Sequence, residues 1–245
     1  HEFDATQERQ SRQLREQILE LRDALAQGQF VLYLQPKVDM HLGTVVGAEA
    51  LARWKHPDKG VLSPAAFMPL LEGTEIEVAF GAWVVDAGLR LVKMLMEHQF
   101  HLPISLNISA PHLQQPGFAD WMAQKLADHP QVPPALVEIE ITETAALYHV
   151  DHVANTLKVL QNIGLGTSLD DFGTGYSSLT YLRRLPLSTL KIDQSFVHGM
   201  MNDAGDLAIV QGVIGLARSF GYRIIAEGVE TADQGQMLLQ LGCHM

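Results

Sequence analysis

The chain has 245 residues, a formal net charge of −11 and a pI near 5.4, and 47% of its residues are hydrophobic. This length suits one α/β domain with a sizeable core, and the acidic balance argues against a nucleic-acid polymer or an anionic membrane surface as partner. The single cysteine, Cys243, excludes an intramolecular disulfide framework, and no apolar run is long enough to span a membrane, so we expect a cytoplasmic protein or the cytoplasmic part of a larger membrane-bound one.

Residues 1–27 form a polar segment without glycine or proline. Its apolar residues recur at helical spacing, at Leu14, Ile18, Leu21 and Leu25. Two interpretations stay open: the helix packs on the side of the main domain, or it couples that domain to an upstream module. Residues 1–3 are typical of an expression-tag remnant. We therefore expect a linker or coupling helix over residues 1–27 and one domain over residues 28–245.

Apolar runs predict seven strands, which begin near residues 31, 45, 104, 137, 166, 189 and 223. Pro36 is expected to limit the first strand, because proline cannot donate to a β-ladder. Helices are predicted over about 64–100, with a second helix from about 79 to 98, and over 116–128, 150–163, 203–219 and 231–241. This alternation predicts a TIM-like (β/α)8 barrel. A closed barrel needs eight strands, so the final strand and helix are expected to be missing from this chain.

At least five strands run into a carboxylate or a side-chain amide, at Glu49, Asn107, Glu140, Asp170-Asp171 and Glu227. The carboxyl ends of parallel strands meet at one face of a barrel, so these groups should gather at its mouth. Acidic oxygens gathered in this way bind hard cations. The sequence therefore predicts a metal site at the mouth.

The adjacent pair Asp170-Asp171 precedes a glycine-rich segment, and Lys191 ends the next predicted strand. Neighbouring strand residues face opposite ways, so this pair can serve two ions only where the strand ends and twists. Such a site suits displacement at phosphorus, with Lys191 either orienting or deprotonating the water or only pairing with the carboxylates. Glu140 should point into the mouth, and Glu143 should lie just beyond it in a loop.

Ordered motifs run through most of the chain: Gln35-Pro36, Glu49-Ala50-Leu51, Asn107-Ile108-Ser109, Glu140-Ile141-Thr142-Glu143, Asp170-Asp171-Phe172-Gly173, Lys191-Ile192-Asp193 and Ala226-Glu227-Gly228. Together they resemble the EAL family of cyclic di-GMP phosphodiesterases. The resemblance implies a barrel whose first strand is antiparallel to the rest. It also implies two-metal hydrolysis of cyclic di-GMP to linear pGpG, with Mg²⁺ or Mn²⁺, in bacterial signal transduction.

The resemblance also implies roles for individual residues. By position, the first ion would be held by Glu49, Asn107, Glu140 and Asp170. Asp170 would bridge to the second ion, assisted by Asp171 and Glu227. Lys191 would act on the attacking water, so the catalytic residues would be Lys191, Glu49 and Glu227.

The remaining roles implied by the resemblance concern the substrate and partners. Substrate contacts would come from Gln35, Leu51, Arg53 and Asp193. Glu143 would stabilise the loop 172–179, through which a homodimer would form, and an upstream sensory or GGDEF-type module would supply the input. A catalytically silent cyclic di-GMP receptor and a purely structural dimer module remain the alternatives.

Overall fold

The computed structural model describes residues 2–173 and 179–245. Its strands are β1 (Phe30–Asp39), β2 (Thr44–His56), β3 (Gly60–Leu62), β4 (Ile104–Asn107), β5 (Val137–Thr142), β6 (Gly166–Phe172), β7 (Thr189–Ile192) and β8 (Arg223–Ala226). They form one mixed sheet in the order β1-β2-β4-β5-β6-β7-β8, with β3 paired to β2. The strand β1 is antiparallel to β2, and the pairs from β2-β4 to β7-β8 are parallel. The antiparallel first strand is confirmed.

The helices are α1 (Glu2–Ala26), α2 (Pro64–Leu71), α3 (Glu75–Glu97), α4 (Ala110–Leu113), α5 (Phe118–Ala127), α6 (Glu143–Leu147), α7 (Val150–Ile163), α8 (Leu179–Leu182), α9 (Gln194–Gly199), α10 (Ala204–Phe220) and α11 (Ala232–Leu241). Gly164 and Gly221 adopt left-handed backbone angles at the ends of α7 and α10, as their positions predict. A capping box between Thr231 and Gln234 starts α11. None of the described helices is both long and apolar enough to cross a membrane.

The sheet curls into a half-barrel with helices around it, which confirms a partial TIM-like barrel. Within the part of the chain that the structure describes, β1 and β8 do not pair with each other. The backbone of the last two residues lies between them: Ala226 N donates to Met245 O at 2.8 Å, and Met40 N donates to His244 O at 2.7 Å. The two ends of the sheet are thus linked through residues 244 and 245.

The prediction that Pro36 limits the first strand is wrong, because β1 continues through it to Asp39. Pro36 is paired with Ala48, whose amide donates in the other direction, to Pro103 O. The backbone nitrogens therefore point away from each other at this pair, and the missing N–H leaves no gap in the β1-β2 ladder. The short strand β3 was not predicted, since its three residues are too few to show a period.

The helix α1 packs on the side of the barrel through its C-terminal half. Leu21 and Ala24 are buried in the core, whereas Leu14 is 46% exposed. The turn after α1 is held to β2, where Trp54 Nε1 donates to Gln29 Oε1 at 2.9 Å. These contacts agree with the packing interpretation, and a coupling role for α1 stays a prediction.

Candidate functional site

The carboxylates predicted for the mouth do converge, although the expectation that β2 ends at Glu49 is wrong, because β2 continues to His56 and pairs there with β3. Among the described residues, two groups of side chains bring their oxygens within 4.8 Å of one another: Glu49, Glu140 and Asp170, and Asp170, Asp171 and Glu227. Asp170 belongs to both groups. The donor set therefore offers two adjacent positions for hard cations that share one carboxylate.

Lys191 lies at the centre of this cluster and is only 1% exposed. Its Nζ is 3.0 Å from Glu49 Oε2, 3.1 Å from Asp170 Oδ2 and 2.5 Å from Glu227 Oε1, and it also pairs with Glu140. Burial alone would lower the pKa of Lys191, but the four carboxylates raise it above its ordinary value. The ammonium group thus neutralises part of the acidic cluster.

Glu140 is fully buried, and its contacts are ion pairs. Neither of its two carboxylate oxygens accepts a hydrogen bond of ordinary geometry from the described residues. Burial raises the pKa of Glu140 to about 7, against the opposing effect of Lys191 and Lys37. Burial likewise raises the pKa of Glu227 to about 7. A buried carboxylate whose side-chain partners are cationic groups also fits the coordination of a metal cation.

The pair Asp170-Asp171 lies where β6 becomes irregular. Its pairing with β7 shifts register between Leu169 and Phe172, and Asp171 has a left-handed φ of 55°. Burial, followed by the charges of Asp170 and Asp193, raises the pKa of Asp171 to about 6. This irregularity is what allows two neighbouring residues to reach the same cluster.

Asn107 ends β4 beside the cluster, and its Nδ2 donates to Glu49 Oε1 at 2.8 Å. This hydrogen bond helps to lower the pKa of Glu49, although burial acts in the opposite direction and Lys191 lowers the pKa more. The amide therefore orients one carboxylate of the predicted first metal position.

Glu143 is the first residue of α6, so the expectation that it lies in a loop is wrong. Thr142 caps this helix by accepting from Ala145 N, and a carboxylate is favourable in a first turn. Glu143 is buried and accepts from Gly173 N at 3.0 Å and from the Tyr181 hydroxyl at 2.8 Å. Glu143 thus contacts residues on both sides of the segment 174–178. This segment makes up most of the predicted dimer loop and lies outside the described residues.

A cavity of about 270 Å³ opens beside the cluster, and Gln35 lines it with Glu49, Lys191 and Glu227. The other predicted substrate residues do not line this cavity. Leu51 and Arg53 share a face of β2 with Glu49 and lie about 7 and 13 Å further along the strand.

Arg53 and Asp193 already have partners near the mouth. The Arg53 guanidinium lies 5.7 Å from the centre of the Tyr33 ring and donates to Ala52 O. Asp193 follows β7 directly and caps α9 by accepting from Ser195 N. Arg53 lies in the C-terminal part of β2 and Asp193 directly after β7, and their substrate roles stay predictions.

A larger surface hollow of about 590 Å³ lies elsewhere, lined by Gln114 and residues 149–152. Asp151, the carboxylate in its lining, pairs with Arg184. This hollow therefore offers a single carboxylate, already paired with a guanidinium, and not the converging carboxylates that make the mouth a candidate cation site.

The sequence prediction missed a second polar layer below the mouth. Glu138 lies two residues before Glu140 on β5, and Lys37 lies two residues after Gln35 on β1. Alternation along a strand places each on the same face as a predicted site residue, so the period of two was the signal that could have identified them.

Comparisons with known proteins identify the family of the chain. The EAL domain family profile matches residues 18–245. The chain is 41% identical over 226 residues to the bifunctional diguanylate cyclase/cyclic di-GMP phosphodiesterase MucR of Pseudomonas aeruginosa, a match that covers 92% of this chain and 33% of that protein. It is 37% identical over 215 residues to the cyclic di-GMP phosphodiesterase PA2567 of the same species, covering 88% of this chain and 36% of that protein.

The solved structure of the PaMucR phosphodiesterase in complex with c-di-GMP has a TM-score of 0.88 and 40% identity, covering 94% of this chain and 93% of that one. The chain spans about a third of the length of the curated relatives that it matches. With the family profile matched over nearly all of its length, the chain belongs to the EAL domain family.

Proposed function

We propose that this domain hydrolyses one phosphodiester bond of cyclic di-GMP and releases linear pGpG, with two divalent cations as cofactors. The observation that carries the proposal is the place of Asp170 in both carboxylate groups, beside the buried ammonium of Lys191. Two relatives named as cyclic di-GMP phosphodiesterases and one solved complex with c-di-GMP support the choice of substrate.

The first cation position is assigned to Glu49, Asn107, Glu140 and Asp170, and the second to Asp170, Asp171 and Glu227. When bound, Mg²⁺ or Mn²⁺ would neutralise the phosphate and make a water molecule easier to deprotonate. The ions also explain how a site with several carboxylates accepts an anionic substrate. Without them, the acidic cluster would repel a phosphodiester.

Lys191 is assigned the role of positioning or deprotonating the attacking water, and its ammonium pairs with Glu49 and Glu227, the other two proposed catalytic residues. Its Nζ can hold the water by a hydrogen bond and, when neutral, can accept the water's proton. The water oxygen forms the new bond to phosphorus, the bond to one ribose oxygen breaks, and that oxygen takes a proton. Gln35, Leu51, Arg53 and Asp193 are assigned to substrate contacts, with Arg53 donating to a phosphate oxygen.

The wider setting is also a proposal. Residues 28–245 form the phosphodiesterase domain, and residues 1–27 couple it to an upstream sensory or GGDEF-type module in the cytoplasm. Glu143 holds Gly173 and Tyr181 on either side of the segment through which a homodimer would form.

A product assay tests the reaction. The protein is incubated with cyclic di-GMP and Mg²⁺ or Mn²⁺, and pGpG is measured by chromatography beside Glu49→Ala and a chelator-treated sample. We expect pGpG only in the untreated wild-type sample. Binding of cyclic di-GMP by calorimetry without any product would instead favour the catalytically silent receptor.

A further inference from the structure

A second polar layer lies below the mouth and is centred on the buried carboxylate of Glu138. Its Oε1 accepts from Ser105 Oγ at 2.7 Å and from Lys37 Nζ at 3.0 Å. Its Oε2 accepts from Thr189 Oγ1 and from Arg223 Nη2, both at 3.0 Å. One carboxylate therefore joins side chains from β1, β4, β7 and β8 to β5.

Lys37 lies between this layer and the mouth. Its Nζ is 3.0 Å from Glu138 Oε1 but 3.7 Å from Glu140 Oε2, and it donates to Ser105 Oγ at 2.6 Å. Lys37 also lines the cavity beside Glu49 and Lys191. The short hydrogen bonds of the ammonium are thus to Glu138 and Ser105, and only a longer ion pair reaches Glu140.

An ammonium group and a divalent cation compete for the same carboxylate oxygens. Glu140 Oε2 lies 3.7 Å from Lys37 Nζ and accepts no hydrogen bond from the described residues, so a released Lys37 could move closer to it. The negative charge of Glu138 neutralises Lys37 and holds it in the lower layer. Removing that charge would leave the lysine free to close on Glu140.

We propose that Glu138 is a positioning residue of the metal site that acts through Lys37. It restrains the Lys37 ammonium in the lower layer and so keeps Lys37 from competing with a cation for Glu140 Oε2. This inference rests on the proposed function to the extent that Glu140 is assigned there as a cation ligand. A purely structural role for Glu138, as the junction of several strands, would affect folding stability without involving Lys37 in metal binding.

A double-mutant cycle separates the two roles. Mn²⁺ binding to the metal-free protein is measured without substrate, from the loss of the electron paramagnetic resonance signal of the free ion. We expect Glu138→Gln to weaken Mn²⁺ binding at least about tenfold, because it leaves a positive charge beside the site. Lys37→Met should bind Mn²⁺ at least as tightly as wild type, and the double variant should return to within about threefold of wild type.

The control is Glu97→Gln, which removes a surface carboxylate that also pairs with a lysine, Lys93. It should leave Mn²⁺ binding unchanged. The inference would be overturned if Glu138→Gln bound Mn²⁺ as tightly as wild type. It would also be overturned if Glu138→Gln and the double variant bound Mn²⁺ equally weakly. A wild-type protein that binds no Mn²⁺ would contradict the proposed function itself, and the inference with it.

If thermal melts show that Glu138→Gln does not fold, Ser105→Ala replaces it. This change removes the hydroxyl that accepts from Lys37 and donates to Glu138 and alters no charge. We expect Mn²⁺ binding to weaken severalfold in Ser105→Ala and to recover in Ser105→Ala with Lys37→Met. Equal Mn²⁺ affinity in these two variants would overturn the proposed restraint on Lys37.

Discussion

The ammonium of Lys191 pairs with the carboxylate of Glu140 at the centre of the mouth, and neither side chain is more than 1% exposed. Three further carboxylates, those of Glu49, Asp170 and Glu227, lie within 3.1 Å of the same Nζ. In the metal-free protein Lys191 therefore supplies positive charge to the oxygens that are assigned to the cations. Binding of the cations must weaken these ion pairs, because the cations take the same oxygens. We therefore expect Lys191 to contribute to the stability of the metal-free protein as well as to catalysis.

Lys191→Met should abolish turnover, because it removes the amine that is assigned to position or deprotonate the attacking water. The metal-free variant should melt at a lower temperature because its buried carboxylates lose their counter-charge. Mn²⁺ should then raise the melting temperature more than in wild type, since the ions replace the missing charge. Melting curves with and without Mn²⁺ check this, beside the exposed Lys158→Met. If Mn²⁺ raised the melting temperature of Lys191→Met and of wild type equally, this prediction would be wrong.

Glu49→Ala should lower the rate at least about a hundredfold, equivalent to about 2.7 kcal/mol of transition-state stabilisation. The change removes one oxygen donor of the first cation position and the acceptor of the Asn107 amide. Cyclic di-GMP should still bind, because the other proposed contacts remain. Steady-state rates and calorimetric affinities check both statements, with the exposed Glu97→Ala as the control. Near-native turnover in Glu49→Ala would contradict the assignment of Glu49 as a donor of the first cation position.

Chelation should stop hydrolysis completely, and added Mg²⁺ or Mn²⁺ should restore it. Ca²⁺ should inhibit, because it favours more ligands at longer distances than this compact group of carboxylates offers. Product formation is measured after chelation and again after each ion is added in turn. Full activity in excess chelator would be incompatible with a metal mechanism.

The polar residues of the mouth could be predicted from the sequence because they interrupt apolar runs, although β2, β5 and β6 continue past Glu49, Glu140 and Asp170. That pattern identified Glu49, Glu140, Asp170 and Glu227, and the structure brings all four around Lys191. The metal-binding roles of these residues are still predictions. Their shared position follows from parallel strands, which place their carboxyl ends on one face.

Other features depend on tertiary structure that no local pattern shows. Pro36 continues β1 only because its nitrogen points away from β2. Glu143 starts a helix because Thr142 caps it, so a residue next to a strand end was placed wrongly in a loop. The Lys37-Glu138 pair joins residues 101 positions apart, and a buried pair of this kind has no sequence signature beyond the alternation of each strand.

Gly81→Ala should destabilise the protein by about 1–3 kcal/mol, the usual cost of overpacking a core. A Cβ atom at Gly81, on α3, would overlap the imidazole ring of buried His112. Gly212 on α10 is the matched control, because a Cβ atom there meets nothing within 4 Å. Gly212→Ala should be neutral or stabilising by up to about 1 kcal/mol, since alanine favours helices. Urea unfolding measures the free energy of unfolding of both variants. Equal changes in Gly81→Ala and Gly212→Ala would contradict the predicted overlap with His112.

His112 should make the protein less stable in acid. Its ring is 3% exposed, its Nδ1 has no hydrogen-bond partner among the described residues, and burial lowers its pKa to about 4. An unfolded histidine has a pKa of about 6.5, so between these values the unfolded state binds more protons. The stability contributed by neutral His112 is therefore complete above pH 6.5 and is lost as the pH falls towards 4. His112→Leu should reduce the slope of unfolding free energy against pH in this window, whereas the exposed His101→Leu should keep the wild-type slope. An unchanged slope in His112→Leu would show that this imidazole does not set the acid sensitivity.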